Sequence, residues 1–171
     1  MDFETLYKTH RNLVYNLALR YVHNTRDAEE IMQDVFMTVY DKWGTFAHRA
    51  DIKTWLYRIT INRSLDHLKA ARRKKRWALF SLSGPETVPH IPRFDHPGVL
   101  LEQKQAVENI FRCIHALPDK QKTVVILLKI EGRTQAETAE IMKIGTKAVE
   151  SLFQRAKTNL EKLLIQNEGT E

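Results

Sequence analysis

The chain has 171 residues, enough for one domain or two small ones, and its 27 lysines and arginines exceed its 21 aspartates and glutamates. A lone cysteine, Cys113, excludes an intrachain disulfide and a cysteine metal cluster. Nothing approaches the run of about 18 apolar residues that a membrane span needs, and no basic segment leads into an apolar one at the start, so a cytoplasmic chain without membrane insertion is expected.

The surplus of positive charge sits in the first half, where residues 1–80 hold fifteen basic side chains against nine acidic ones. Residues 106–171 hold ten against nine. A basic half suggests an anionic partner such as nucleic acid.

Leu6, Tyr7, Leu13, Val14, Leu17, Ala18 and Tyr21 recur at helical spacing, which predicts a long amphipathic helix from Phe3. Asn24 or Thr25 caps a second helix, with Asp27, Glu29 and Glu30 favourably placed at its positive end. Its buried stripe is Ile31, Met32, Val35, Phe36 and Val39, and Gly44 stops it. Asp51 caps a third helix carrying Ile52, Trp55, Leu56, Ile59, Leu65 and Leu68, which continues into Arg72-Arg73-Lys74-Lys75-Arg76. Trp55 falls in that apolar stripe and reads as core.

Between Ser81 and Pro97 the composition changes to Gly84, Pro85, Pro89, Pro92 and Pro97, a density that breaks helices and favours extended chain. His90, Asp95 and His96 lie there without the spacing of a metal site, and neither a metal nor a cofactor is expected. No glycine-rich phosphate loop or nucleophile-base arrangement suggests an enzyme.

A helix from about Val99 to Leu117 follows, in which Cys113 reads as a small core residue among Val107, Ile110, Phe111 and Ile114. Asp119 is expected to cap the next helix, with Val124, Leu127, Leu128 and Ile130 before the break at Glu131-Gly132. Thr134 and Glu137 then form a capping box, and Ala136, Ala139 and Met142 give a short helix its apolar side. Lys143, Ile144 and Gly145 make a turn into a last helix near Thr146, with Val149, Phe153, Ala156, Leu160 and Leu163 on one side. Its other side carries Lys147, Glu150, Ser151, Gln154 and Arg155, which can reach base edges and phosphates as in a helix-turn-helix.

The expected fold class is all-α, two small helical domains joined by a flexible linker. Their bounds are 1–78, a proline-rich linker 79–98, and 99–171 with the helix-turn-helix.

Three blocks stand in order: Asp27-Ala28-Glu29-Glu30-Ile31-Met32-Gln33-Asp34-Val35-Phe36, then Thr54-Trp55-Leu56-Tyr57-Arg58-Ile59 with Asn62 and Asp66, then Leu117-Pro118 ahead of the helix-turn-helix. Together they resemble a bacterial RNA polymerase sigma factor of the extracytoplasmic-function (ECF) group, over nearly everything except the linker. The resemblance implies partnership with core RNA polymerase and promoter DNA, and an anti-sigma factor that holds the chain. It implies that the first domain binds polymerase and reads and melts the −10 element, while the second reads the −35 element. Gln33, Asp34 and Phe36 then lie on or near the polymerase-binding surface, although Phe36 also fits the buried stripe.

Asn62, Asp66, Lys69 and Arg73 share one face of the third helix, with Arg63, Arg72 and Arg76 beside it, and the resemblance makes this a −10 DNA surface. It likewise implies that the loop Thr45 to Ala50 captures a flipped base, for which Phe46, His48 and Arg49 suit stacking and phosphate contact. Lys147, Glu150, Ser151, Gln154 and Arg155 become the −35 surface.

Departures from the family pattern gather in the helix-turn-helix. Lys143 takes a turn position usual for glycine, which predicts a modest strain at positive φ. Thr138 and Ala148 replace larger or hydroxylated residues. Glu150 and Leu152 stand where basic residues are frequent; Glu150 could accept from a cytosine amine, and Leu152 could pack or meet a thymine methyl. The alternative reading is a stand-alone helix-turn-helix transcriptional regulator, which would require a dimer surface and duplex affinity without polymerase.

Overall fold

The computed structural model describes residues 2–45, 51–81 and 101–168, which form helices joined by short turns. The chain divides into two compact units, Met1–Arg93 and Phe94–Glu171. In the first, α1 (Phe3–Val22), α2 (Thr25–Lys42) and α3 (Ile52–Ser81) pack on one another, and a 3-10 turn (Trp43–Thr45) ends α2 at Gly44.

Local chemistry sets these bounds. Asp2 Oδ1 accepts from the Thr5 amide at 2.8 Å and starts α1. His23 ends it in the left-handed region at φ 49, its amide donating to the Leu19 carbonyl at 2.9 Å. Asn24 Oδ1 then accepts from the Asp27 amide at 3.1 Å, so one residue separates the end of α1 from the cap of α2. Asp51 Oδ2 accepts from the Lys53 and Thr54 amides at 3.1 and 3.4 Å and caps α3.

The core of this unit is Leu6, Val14, Leu17, Ala18 and Tyr21 from α1, Ala28, Ile31, Val35, Phe36 and Val39 from α2, and Leu56, Tyr57 and Ile61 from α3. On α3 the buried line differs from the expected stripe. It runs through Thr60 and Ser64, both fully buried, while Ile52, Trp55, Ile59, Leu65 and Leu68 are half-buried. Thr60 disposes of its hydroxyl by donating to the Leu56 carbonyl at 2.8 Å. The helix also continues to Ser81, past the expected domain end at residue 78, because nothing between Arg76 and Ser81 breaks it. The remaining linker residues to 98 lie outside the described residues, apart from that helical end.

The second unit comprises α4 (Leu101–Ala116), α5 (Asp119–Val125) running into a π-helical turn (Ile126–Ile130), α6 (Gln135–Met142) and α7 (Thr146–Glu168). Pro118, not Asp119, occupies the cap position of α5; Asp119 is its first helical residue, where its carboxylate meets the positive helix end. The wider turn closes through the Glu131 amide, which donates to the Ile126 carbonyl at 2.9 Å, and Gly132 leaves at φ 63, a conformation suited to glycine.

Val124, Ala139 and Val149 form the centre of the helix-turn-helix, with Leu128, Met142, Ile144, Leu152 and Phe153 packed around them. Leu152 therefore packs. On α6 the inward residues are Thr138, Ala139 and Ile141, while Ala136 is exposed, which corrects the expected apolar side. Cys113 is buried as expected, at 2 % exposure. Asn159 Nδ2 donates to Gln121 Oε1 at 2.8 Å and ties α7 to α5.

Two buried polar groups generate expectations for stability. Thr138 is fully buried with no partner for its hydroxyl among the described residues, a desolvation cost of about 1–3 kcal/mol. Thr138→Val keeps the shape and removes that group, so the urea midpoint of the second unit should rise, by about 1 kcal/mol in stability. An unchanged or lowered midpoint would show that the hydroxyl is satisfied.

His10 is 5 % exposed on α1, and burial lowers its pKa from the ordinary 6.5, with the Lys53 ammonium adding to the effect and Asp51 opposing it. The folded chain thus resists protonation of His10 more than the unfolded chain, whose imidazole has the ordinary 6.5. This contribution is present above that pH and is lost as the pH falls below it. The urea midpoint should therefore fall on acidification from about pH 7.5 to about 5.5, and His10→Gln should flatten that dependence; an equal slope in both proteins would exclude His10 as its source.

Candidate nucleic-acid interface

The helix-turn-helix is built by the chemistry of its caps. Thr134 Oγ1 accepts from the Glu137 amide at 3.1 Å, and the Thr134 amide donates to Glu137 Oε2 at 2.7 Å. The hydrogen bond from the Thr134 amide to the carboxylate, and after it the nearby Thr134 side chain, hold the Glu137 carboxyl below its ordinary 4.5, and Arg133 Nη1 lies 3.2 Å from its other oxygen. Lys143 ends α6 at φ 54 and ψ 47, the left-handed conformation that its position requires. The Gly145 carbonyl accepts from the Ala148 and Val149 amides at 3.0 and 3.1 Å and launches α7.

Val149 and Ala156 are fully buried on α7, which turns the opposite face outward. Lys147, Glu150, Ser151, Gln154 and Arg155 are all exposed there, as the spacing predicts. Arg155 folds along its own helix: Nε donates to the Ser151 carbonyl at 3.3 Å and Nη2 to Ser151 Oγ at 3.1 Å. A guanidinium held by one turn of backbone loses less freedom on meeting a phosphate than a loose one.

On α3 the exposed residues Asn62, Asp66, Lys69 and Arg73 lie along one face. Asp66, Lys69, Arg72, Arg73, Lys75 and Arg76 line an open concavity beside it. Lys74 and Lys75 extend the cationic run, and Trp77 at its end is 75 % exposed. Arg63 is turned differently. Its Nη2 donates to Thr38 Oγ1 on α2 at 2.8 Å. His67 Nε2 also reaches α2, lying 3.5 Å from Asp27 Oδ2. Phe46, His48 and Arg49 lie outside the described residues.

Gln33 and Asp34 are exposed on α2. Phe36 is not with them: it is 4 % exposed and packs edge-on against Phe3 and Tyr7, with ring centroids 6.4 and 4.7 Å away. The face of Gln33 and Asp34 carries instead Met37 and Tyr40, each 66 % exposed, with the Tyr40 ring edge-on to Phe3 at 5.1 Å. The sequence held a signal for them, since Met37 and Tyr40 follow Gln33 at i+4 and i+7 and are apolar off the core stripe.

Two exposed polar helix faces on two helical units, one of them in a helix-turn-helix and the other strongly cationic, are features of the DNA-binding class of proteins. The Sigma-70 region 2 family matches residues 6–74, and the Sigma-70, region 4 family matches residues 108–160. The ECF RNA polymerase sigma factor SigW of Bacillus subtilis is 28% identical over 167 residues, covering 95% of this chain and 88% of that one. The RNA polymerase sigma-H factor of Pseudomonas aeruginosa is 25% identical over 165 residues, 95% of this chain and 86% of that one. In fold, the chain is similar to the sigma factor RpoE of Bartonella quintana, solved in complex with the anti-sigma factor NepR, with TM-score 0.69 at 19% identity and coverage of 95% and 96%. The chain belongs to the sigma-70 family, in its ECF group, whose members bind core RNA polymerase and direct transcription from particular promoters. No helix among the described residues is long and apolar enough to cross a membrane.

The arrangement on α7 makes a separable expectation. If Ser151 serves chiefly to hold Arg155, Ser151→Ala and Arg155→Ala should both weaken all upstream DNA sequences alike, and Arg155→Ala should lower the salt slope by about one unit. A loss confined to one base pair in a binding series would make that side chain a base reader.

Proposed function

We propose that the face of α2 formed by Gln33, Asp34, Met37 and Tyr40 docks core polymerase, an acidic and amide pair beside an exposed apolar one. The cationic face of α3 takes the −10 element: Lys69, Arg72, Arg73 and Arg76 neutralise phosphates, and Asn62, with Asp66 beside it, meets a base edge. Residues Phe46, His48 and Arg49, on the family resemblance, receive a base flipped from the opened strand. Lys147, Glu150, Ser151, Gln154 and Arg155 on α7 read the −35 element.

Glu150 shapes that last preference. Its carboxylate is repelled by phosphate and by the acceptors of guanine and thymine, whereas cytosine itself presents only a donor, its N4 amine, in the major groove. A cytosine opposite Glu150 therefore fits this chain.

The observation that carries the reading is the continuous exposed face of Asn62, Asp66, Lys69 and Arg73 on a helix whose other side is buried as far as Ser64 and whose exposed end beyond it is cationic. Such a chain has no chemistry of its own to perform; polymerase makes the nucleotide bonds, and the binding energy of this protein offsets the cost of unstacking DNA. A first domain that reaches the end of α3 at Ser81 and a second at 99–171 serve this division of labour, and an anti-sigma factor, a partner also bound in the Bartonella quintana complex, would hold this chain inactive in the cytoplasm.

Two substitutions test the assignment in one experiment with core polymerase and promoter DNA. Asp34→Arg should lower core affinity by charge reversal without altering thermal unfolding, since exposed changes cost about 0.5 kcal/mol or less. Asn62→Ala should leave recruitment nearly intact and reduce permanganate reactivity at the −10 region, a lost base contact being worth about 1–3 kcal/mol. Normal core affinity in the first, or normal opening in the second, removes that residue from its surface; duplex binding by the chain alone as a dimer would favour a stand-alone regulator.

A further inference from the structure

Arg63 is the neighbour of Asn62 on α3, yet its guanidinium reaches to α2. Nη2 donates to Thr38 Oγ1 at 2.8 Å, and the same hydroxyl donates to the Asp34 carbonyl one turn back, also at 2.8 Å. A cation, a hydroxyl and the Asp34 peptide thus make one line of hydrogen bonds from α3 into α2. Each bond polarises the next, so the hydroxyl is a better acceptor for the guanidinium because it donates to the carbonyl. Threonine bonded to the carbonyl four residues back also bends a helix at that turn. Displacing the Asp34 turn therefore moves the acceptor that holds Arg63. A second bridge, His67 to Asp27 at 3.5 Å, ties the same helices nearer the start of α2.

We propose that Thr38 and Arg63 are positioning residues that couple the Asp34 turn of α2 to the DNA-facing α3, and that Arg63 serves promoter opening through Thr38 and not through a phosphate. The proposal rests on the assignment of α2 to polymerase and of α3 to the −10 element. Docking at Asp34 then adjusts, within the limits the core allows, the orientation of α3 at the residue beside Asn62. Arginine suits this task, since its planar donors fix a direction that a lysine ammonium would not.

The test uses full-length protein with saturating core polymerase on one promoter, reading core affinity, the rate of permanganate-detected opening, and the salt dependence of the promoter complex. Thr38→Val keeps the shape and deletes both hydrogen bonds, whereas Thr38→Ser retains the hydroxyl. Thr38→Val should hold core affinity within about twofold and slow opening about fivefold, the scale of one exposed hydrogen bond to a charge, and Thr38→Ser should open as wild type does. Arg63→Met should show the same slowing, no further loss when combined with Thr38→Val, and an unchanged salt slope.

Normal opening by Thr38→Val, failure of Thr38→Ser to restore it, or additive losses in the double variant overturns the coupling. A core affinity that falls as far as opening does makes Thr38 part of the docking surface and also overturns it. A salt slope reduced by about one unit in Arg63→Met places Arg63 on a phosphate and overturns its assignment. Wild-type protein unable to program core polymerase at all would instead defeat the underlying functional reading, before any variant is compared.

Discussion

Small buried residues at positions 60 and 64 set the rotation of α3, and what the first unit offers to a partner depends on that rotation. Thr60 and Ser64 are fully buried beside Leu56, Tyr57 and Ile61, so one side of the helix is committed to the core over about two and a half turns. The opposite side must then carry Asn62, Asp66, Lys69 and Arg73 outward, because residues spaced by three and four share a face. A larger residue at either position would push α3 off its neighbours, and the costs of overpacking, about 1–3 kcal/mol, would be joined by a misdirected cationic face. Core and function are two sides of one helix.

The second unit solves the same problem with different means. Val124, Ala139 and Val149 are small enough to let three helices meet closely, and Leu128, Met142, Ile144, Leu152 and Phe153 close the edges. Lys129 lies over the Phe153 ring, 5.2 Å from its centre, which adds a cation to the apolar rim without removing it from solvent. The positive φ at Lys143 is the strained point of this unit, and it is tolerated because the turn amides of Lys143 and Ile144 both find carbonyls, at 3.2 and 3.0 Å.

Much of this was legible in the sequence wherever a single rule decided the outcome. Thr134 and Glu137 could be read as a capping box because two side chains and two amides suffice to make one. Lys143 could be placed at positive φ from the family pattern, in which glycine is usual at that turn, and the outward face of α7 followed from its period. The misreadings arose where rules competed. Thr60, Ser64 and Thr138 are polar by type yet buried, so a stripe counted in apolar residues passed them by. Phe36 satisfied both a core pattern and a family interface, and packing with Phe3 and Tyr7 decided for the core. The bond of Arg63 to Thr38 had no sequence signal, since no pattern within one helix reveals a hydroxyl presented by another. Asp119 resembles a cap by type, but Pro118 takes the extended backbone that a cap position needs, at φ -53 and ψ 144.

The left-handed residue at His23 bears on the order in which the molecule assembles. With only His23 and Asn24 between them, α1 and α2 meet through contacts that are local in the chain, and local contacts close early because little loop entropy opposes them. Helix α3 must return across the segment from Trp43 to Asp51 before its side of the core exists. During synthesis the hairpin of α1 and α2 emerges first, carrying Gln33, Asp34, Met37 and Tyr40 already in place on α2. The surface proposed for the polymerase is thereby presented by the faster-forming part of the fold, and the surface proposed for DNA by the part that arrives later.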